Sequence, residues 1–422
     1  MVLQATHFKK SLKPFQILGA AFLHQRPHAL LADEPGLGKT VQAIYAANAL
    51  DLQRILVVCP ASVRSGWRQE LDECGATGAW DIISYEQAVR GYANVGYYDG
   101  LILDEAHYLK TPESQRTQAV FGKSGMARHP KIRARWALTG TPVLNRPREL
   151  WPILKCLHAG FAGESWDNFS KRYCGAFYNG REMDTRGATN LDELARRLEG
   201  FMMRRAKADV LPELPAKIVT RVAVPFDEGL LREAESKILD REAKLSAAAE
   251  DYSALGDLAV MLHQTGLAKV KGVVAFVKEL LETEEKVVIF FKHTDVGAAL
   301  FMAFECATVV YQGGMSDAAK VAAIQGFQSF GKSVFLAQIQ AAGTGINGLQ
   351  EVCSTVVFAE LDWTPGTMSQ AIDRLHRMGQ KAGSVNACLT HAPGSMESAV
   401  LGVQNHKGSV VGRLMGESGW KA

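Results

Sequence analysis

No run of apolar residues in the 422-residue sequence approaches membrane-spanning length, and the amino-terminal ten residues hold no apolar signal core. Neither a membrane span nor a secretory leader is expected. Cysteine is sparse and scattered: Cys59, Cys74, Cys156, Cys174, Cys306, Cys353 and Cys388 offer no metal-ligand spacing, which argues against a zinc site. Their odd number fits a reducing compartment. An excess of one charge is almost missing, at +3 overall, so bulk charge does not mark a polyanion binder and only local basic clusters could do so. Tandem repeats and low-complexity tracts are missing too, which excludes a solenoid and a disordered chain.

The chain is too long for one compact core and suits two or three domains. Two regions alternate short β-rich runs with helical periodicity. In the first, Ala29–Ala32, Ile55–Cys59, Asp81–Ser84, Leu101–Asp104 and Trp136–Thr139 read as strands, with a helical pattern at Thr40–Leu50. In the second, Val287–Phe291, Val309–Tyr311, Val334–Ala337, Thr355–Ala359 and Ser384–Leu389 read as strands, separated by helical patterns at Ala268–Leu281, Asp317–Phe327 and Thr367–Met378. Such alternation predicts an α/β fold with buried parallel sheets and crossover helices, and ligands beyond the carboxyl ends of the strands. The aromatic, basic stretch from Arg146 to Leu214 shows no clear strand and reads as a helical insertion; Asp227–His263 is a second helical element. The expected division is a first lobe at 1–145, the insertion and inter-lobe segment at 146–215, a linker with the second helical element at 216–265, and a second lobe at 266–422.

Gly36-Leu37-Gly38-Lys39-Thr40 follows a short apolar strand and opens a helix, the context a phosphate-binding loop needs. Glycines let backbone N–H groups curl around phosphate oxygens, and the helix start adds a favourable field. Lys39 would reach the β and γ phosphates and the Thr40 hydroxyl would ligate Mg²⁺. The general pattern has Gly where this chain has Asp33, so a plain glycine-rich turn is the competing reading. The apolar strand Leu101-Ile102-Leu103 ends in Asp104-Glu105, placed to hold Mg²⁺ through Asp104 and to orient and deprotonate a water through Glu105. No Asn-Lys-x-Asp guanine reader occurs, so ATP is the expected nucleotide.

Asp104-Glu105-Ala106-His107 with Leu138-Thr139-Gly140-Thr141-Pro142 resembles helicase superfamily two. Further blocks resemble its Swi/Snf-type ATPases: Leu12-Lys13-Pro14-Phe15-Gln16, the loop from Ala32 to Thr40 with Pro35 in place of the usual Met, Val57-Val58-Cys59-Pro60-Ala61-Ser62 before Trp67 and Glu70, and Met203-Arg204-Arg205 through Pro215. The last blocks are Gln340 to Asn347 and Gln370 to Gln380, and the resemblance runs from about Leu12 to Gln380. Glu360-Leu361-Asp362-Trp363-Thr364-Pro365 and Asn145-Arg146-Pro147 look most like the HARP-type annealing branch and its bacterial or phage relatives.

The resemblance implies two RecA-like lobes with small helical insertions between and on them, and a site completed by both lobes. It assigns ATP and Mg²⁺ as cofactors, with Gln16, Pro35, Gly36, Leu37, Gly38, Lys39, Thr40 and Gly345 around the nucleotide. Arg374 and Arg377, three apart on a predicted helix, would share a face and serve as arginine fingers, Arg377 foremost. Ser62, Tyr85, Thr139, Gly140, Thr141, Gly343 and Asn347 would grip DNA phosphates. Lys131, Arg133, Arg135, Arg196, Arg197, Arg204 and Arg205 would add positive charge, unless they pair with acids instead. Trp67 reads equally as a contact to a sugar or base and as core; Trp363 reads as support. His107 and His376 would couple the two sites.

Three functions remain open at this level: a DNA-stimulated ATPase translocating on duplex or forked DNA, a strand-separating or annealing helicase, and an ATP-switched clamp serving a partner. DNA read without sequence preference, a protein partner for targeting, and a monomeric chain are expected, cytoplasmic in a bacterium or phage-infected host and nuclear in a eukaryote.

Overall fold

The computed structural model describes residues 8–91, 97–143, 146–236, 255–342, 346–398 and 400–402. The chain divides between Pro212 and Glu213 into two compact units, called lobe 1 and lobe 2 here. Among the described residues no helix is long and apolar enough to cross a membrane.

Lobe 1 is built on a six-stranded parallel sheet. Its strands in chain order are β1 (His28–Leu31), β2 (Arg54–Cys59), β3 (Ala79–Ser84), β4 (Gly100–Asp104), β5 (Ala134–Leu138) and β8 (Met202–Met203), and they lie side by side as β3-β2-β4-β5-β1-β8. The period-2 geometry of a strand sends alternate residues into different cores. Leu56, Val58, Leu101 and Leu103 enter one buried cluster, while Ile55, Val57, Cys59 and Ile102 enter the other. Both faces are thus covered, and the strands read as continuous apolar runs for that reason.

The aromatic stretch after residue 146 is mainly helical, in Trp151–Leu157, Ala159–Ala162, Trp166–Tyr173 and Leu191–Leu198. It packs Trp151, Phe161, Phe169, Tyr173 and Leu194 onto the first cluster. It does contain strands. A short antiparallel hairpin joins β6 (Phe177–Tyr178) to β7 (Met183–Asp184), and β8 returns to pair with β1 in register Leu31↔Met203. Two-residue strands carry no periodicity, so sequence pattern cannot reveal them.

Lobe 2 repeats the plan. Its parallel sheet runs β11 (Thr308–Tyr311), β12 (Val334–Gln338), β10 (Val287–Phe291), β13 (Thr355–Phe358), β14 (Ser384–His391), β9 (Ala216–Ala223). The expectation of two parallel α/β lobes of RecA-like type is met. The edge strand β9 was missed in the sequence pattern. It pairs with β14 over eight residues, but its side chains are mostly exposed and Lys217, Thr220 and Arg221 interrupt its apolar residues, so it shows neither a continuous apolar run nor a strict alternation.

One helix differs from expectation in a way that matters. The helix starting at Pro365 stops at Ile372, not near Met378. Beyond it the chain tightens into turns, with Arg374 N–H bonded to Ala371 O and Leu375 N–H to Ile372 O, and Gly379 reverses direction at φ +93°. Arg374 and Arg377 therefore lie on a turn segment and do not share a helix face.

Candidate functional site

Parallel pairing assembles the candidate site of lobe 1. Strand β5 lies between β4 and β1 in register Asp104↔Leu138 and Leu31↔Leu138. Three chain segments far apart in sequence therefore leave the sheet at one level. They are the loop Ala32–Gly38 after β1, Glu105–His107 after β4 and Thr139–Pro142 after β5.

The candidate phosphate loop is shaped by two glycines in the left-handed region, Gly36 at φ +89° and Gly38 at φ +74°. Helix Lys39–Ala49 starts directly after Gly38. A β-carbon on Gly38 would lie 2.5 Å from Gln16 Nε2, so glycine is required for close approach as well as for conformation. Gln16 is itself fixed, accepting from Lys13 N–H at 2.9 Å and donating to Leu37 O at 3.3 Å. A β-carbon on Gly140 would lie 2.7 Å from the Pro35 ring, so the segment after β5 supports the loop from the other side. The Lys39 ammonium donates to Asp33 O at 2.7 Å and Glu34 O at 3.3 Å. Burial draws its pKa down, against the opposing pull of Glu105, Asp33 and Asp104, while Arg204 adds to the lowering.

The acids at the end of β4 are held from several sides. Asp104 Oδ2 accepts from Trp67 Nε1 at 2.7 Å and Oδ1 from Glu105 N–H at 2.9 Å. The Tyr85 hydroxyl donates to Asp104 O at 2.8 Å. Burial, and then the neighbouring Glu105 carboxylate, push Asp104 up to about 6, opposed by Trp67 and Lys39. Glu105 adopts φ +48°, ψ +51°, a left-handed conformation uncommon for a residue with a β-carbon and often found at functional sites. Its carboxylate lies 3.3 Å from His107 Nδ1, which is 3.0 Å from Thr139 Oγ1. Thr139 in turn accepts from Thr141 N–H at 3.2 Å. A polar path thus runs from Glu105 through His107 into the segment after β5.

The raised pKa has a sign that can be tested. Because the folded value lies above the free value of 3.8, Asp104 contributes its stability at low pH and withdraws it as pH rises through about 6. The difference in melting temperature between Asp104→Asn and the unaltered protein, without nucleotide, should move in the variant's favour between pH 5 and 7.5. A pH-independent difference would refute the assignment.

Several residues that looked basic and exposed are committed elsewhere. Arg205 pairs through Nε with Asp33 Oδ1 at 2.9 Å and through Nη2 with Asp33 Oδ2, and also reaches Gln42 Oε1 at 2.8 Å. Arg204 donates to Ala32 O at 2.7 Å and Gly140 O at 3.1 Å. Arg135 donates to Ala127 O and His129 O, and Arg197 to Tyr173 and Glu164. Lys131, Arg133 and Arg196 remain exposed. Among the expected phosphate contacts, Tyr85 and Thr139 are fully buried and Gly140 is buried too, so the Tyr85 and Thr139 side chains pack inward. Ser62 and Thr141 are half-buried and Asn347 is exposed. Trp67 is buried, which resolves its reading toward the core, with the added bond to Asp104. Gly343 and Gly345 lie outside the described residues.

In lobe 2, Arg377 donates to Asn347 Oδ1 at 2.5 Å and to Ile346 O at 3.5 Å. His376 Nε2 is 2.9 Å from Pro215 O, beside the buried Asp373. Sequence reasoning missed the anchor of this lobe's carboxyl edge. The buried Glu360 accepts from Lys292 N–H at 2.7 Å, His293 N–H at 2.9 Å and His293 Nδ1 at 2.6 Å, and Lys292 pairs with Asp362 at 3.1 Å. Glu360-x-Asp362 stood out in the sequence only as part of a resemblance.

Two parallel α/β lobes of this kind, the first with a candidate phosphate loop beside a strand-end acid pair, define a helicase-like nucleotide-hydrolase core. The chain belongs to the SNF2-related family: the SNF2-related domain matches residues 15–90 and 79–253, and the helicase conserved C-terminal domain matches residues 272–379. It is 31% identical to the DNA annealing helicase and endonuclease ZRANB3 of Bos taurus, covering 96% of this chain and 41% of that protein. It is also 31% identical to the SWI/SNF-related matrix-associated actin-dependent regulator of chromatin subfamily A-like protein 1 of Xenopus tropicalis, covering 96% of this chain and 45% of that one. The chain therefore spans less than half the length of these curated relatives. The Sulfolobus solfataricus SWI2/SNF2 ATPase core in complex with dsDNA is similar at 23% identity and a TM-score of 0.46, over 94% of this chain and 91% of that one.

Proposed function

We propose that the chain is an ATP-dependent DNA translocase or remodeller, hydrolysing ATP to move along double-stranded or forked DNA without reading its sequence. The observation that carries this reading is the convergence of the Lys39 loop, the Asp104–Glu105 pair and the Thr139–Pro142 segment at one sheet edge, in a chain of the SNF2-related family. The family membership supports the choice of DNA, and the loop and acid pair support hydrolysis of a nucleotide.

The residues divide the work as follows. The Gly36–Gly38 turn would wrap phosphate oxygens, and Gln16 and Pro35 bound the same loop. Lys39 would exchange its two backbone carbonyl contacts for the β and γ phosphates. Thr40 and Asp104 suit Mg²⁺: the hard oxygen of a buried carboxylate, already raised by a second carboxylate beside it, favours a cation there. Bound Mg²⁺ would neutralise charge on the phosphates. Glu105 would orient the attacking water and take its proton, steadied by His107. Arg374 and Arg377 are assigned to charge developing on the γ-phosphate. Ser62, Thr141, Asn347 and Gly343 remain candidate backbone contacts, and Gly345 a candidate beside the nucleotide.

One of the relatives is named as an annealing helicase, and strand annealing would use the same engine with a fork as its substrate. Steady-state phosphate release without DNA and with single strands, blunt duplex and fork tests the proposal. Stimulation of about tenfold or more by duplex or fork is expected. Stimulation by single strands alone, with strand displacement, would replace the translocase reading by that of an unwinding helicase.

A further inference from the structure

The hairpin β6–β7 belongs to neither parallel sheet. It pairs Phe177 with Asp184 and Tyr178 with Met183. Successive strand residues point to opposite faces, so Phe177 lies on one face and Tyr178 with Met183 on the other. All three are exposed, at 59%, 65% and 45%. A two-stranded ribbon gains little stability by itself, and bare aromatic groups on both of its faces add none. Docking on a protein surface would use one apolar face. Aromatic groups on both faces suit insertion between two flat partners.

The charge around the hairpin narrows the partner. Arg181 is exposed at the turn, and Gly180 beside it takes φ +94°, which keeps the tip tight. At the root, Arg148 donates to Thr185 Oγ1 at 3.1 Å and Arg186 pairs with Asp184. Arg186, and more weakly Arg146, hold the Asp184 carboxyl below its ordinary range. Arg181 and Glu182 are thus exposed at the tip, and the half-buried Arg146, Arg148 and Arg186 lie about Asp184 at the root. A polyanion whose units carry flat apolar faces fits this combination: base stacking on aromatic side chains, with arginine against the backbone, is how single strands are held. The root also follows directly on the Thr139–Pro142 segment, since Arg148 is six residues beyond Pro142.

We propose that the β6–β7 hairpin is a blade that enters DNA where duplex opens into single strands, stacking unpaired bases on Phe177 and on Tyr178. It rests on the reading of the chain as a DNA motor and specifies the junction as the structure that motor engages. The face carrying Phe177 takes a base from one strand and the face carrying Tyr178 a base from the other, with Arg181 beside the backbone.

The test compares dissociation constants of the full chain for a blunt duplex and for a fork with the same duplex length, by fluorescence anisotropy at fixed salt without nucleotide. The unaltered chain should prefer the fork, and Phe177→Ser/Tyr178→Ser should lose about tenfold or more of that preference while binding the blunt duplex unchanged. Phe177→Trp/Tyr178→Trp should restore the preference, because stacking needs an aromatic face and not these two residues. Equal binding of fork and duplex by the unaltered chain overturns the proposal, and so does a fork preference that survives in the serine variant, which would leave the hairpin to a protein partner. Binding of neither DNA overturns the motor reading first and this proposal with it.

Discussion

Glu105→Gln is expected to bind ATP at least as tightly as the unaltered chain while its DNA-stimulated kcat falls about 10²–10⁴-fold, the usual contribution of a general base. The amide has the shape of the carboxylate and can keep its contact to His107, so the left-handed turn at residue 105 and the path to Thr139 persist. Removing a negative charge from beside Lys39 and the phosphates favours binding if it changes it at all. Only the ability to take a proton is lost. Fluorescent-nucleotide titration and phosphate release on the same preparation separate the two effects. Unaltered turnover in the variant would show that the base is another group.

Arg205→Ala should cost about 3–5 kcal/mol, the usual penalty for breaking a buried ion pair from one side. Asp33 is fully buried, and Arg205 supplies its paired charge on both oxygens, with Gln42 Nε2 also reaching it at 3.2 Å and the Lys39 ammonium interacting with it electrostatically. In a lobe of this size that loss lowers the melting temperature by about 6–20 °C. Nucleotide affinity should fall as well, because the Asp33 and Glu34 carbonyls that position Lys39 belong to the backbone that Arg205 holds. Adding Asp33→Asn to the variant should recover part of the stability, since no unpaired charge is then buried. A single variant that melts with the unaltered protein would refute the pairing. Arg205→Ala weakening DNA binding while leaving stability untouched would return this arginine to the track.

Much of the architecture is legible in the sequence. Val287–Phe291 and the other four strands of lobe 2 that carry apolar runs are found within a residue or two of their expected bounds, as are the first five of lobe 1. Buried strands between covering helices must be apolar along their whole length, and that leaves a signal. Strand β9 shows the converse. Its ladder to β14 is made by backbone groups, while Ile218 and most of its neighbours face solvent. The same limit applies to the arginines. A helical spacing from Thr367 onward suggested that Arg374 and Arg377 share a face, but helix boundaries depend on local backbone bonding that periodicity does not resolve.

For the site, residue types and their order were sufficient to place Gly-x-Gly-Lys-Thr at a helix start and Asp-Glu at a strand end. Both are local features, written in adjacent residues. Which side chains support them was decided by folding. Arg205 lies 172 residues from Asp33 and reaches it because β8 pairs with β1. Tyr85 and Thr139 look from sequence like surfaces for a strand of DNA and Trp67 reads either way, and packing turns all three side chains inward against the acid pair and its neighbours. Local motifs are written in adjacent residues, whereas burial and pairing depend on which distant segment arrives alongside, and only the closed sheet determines that.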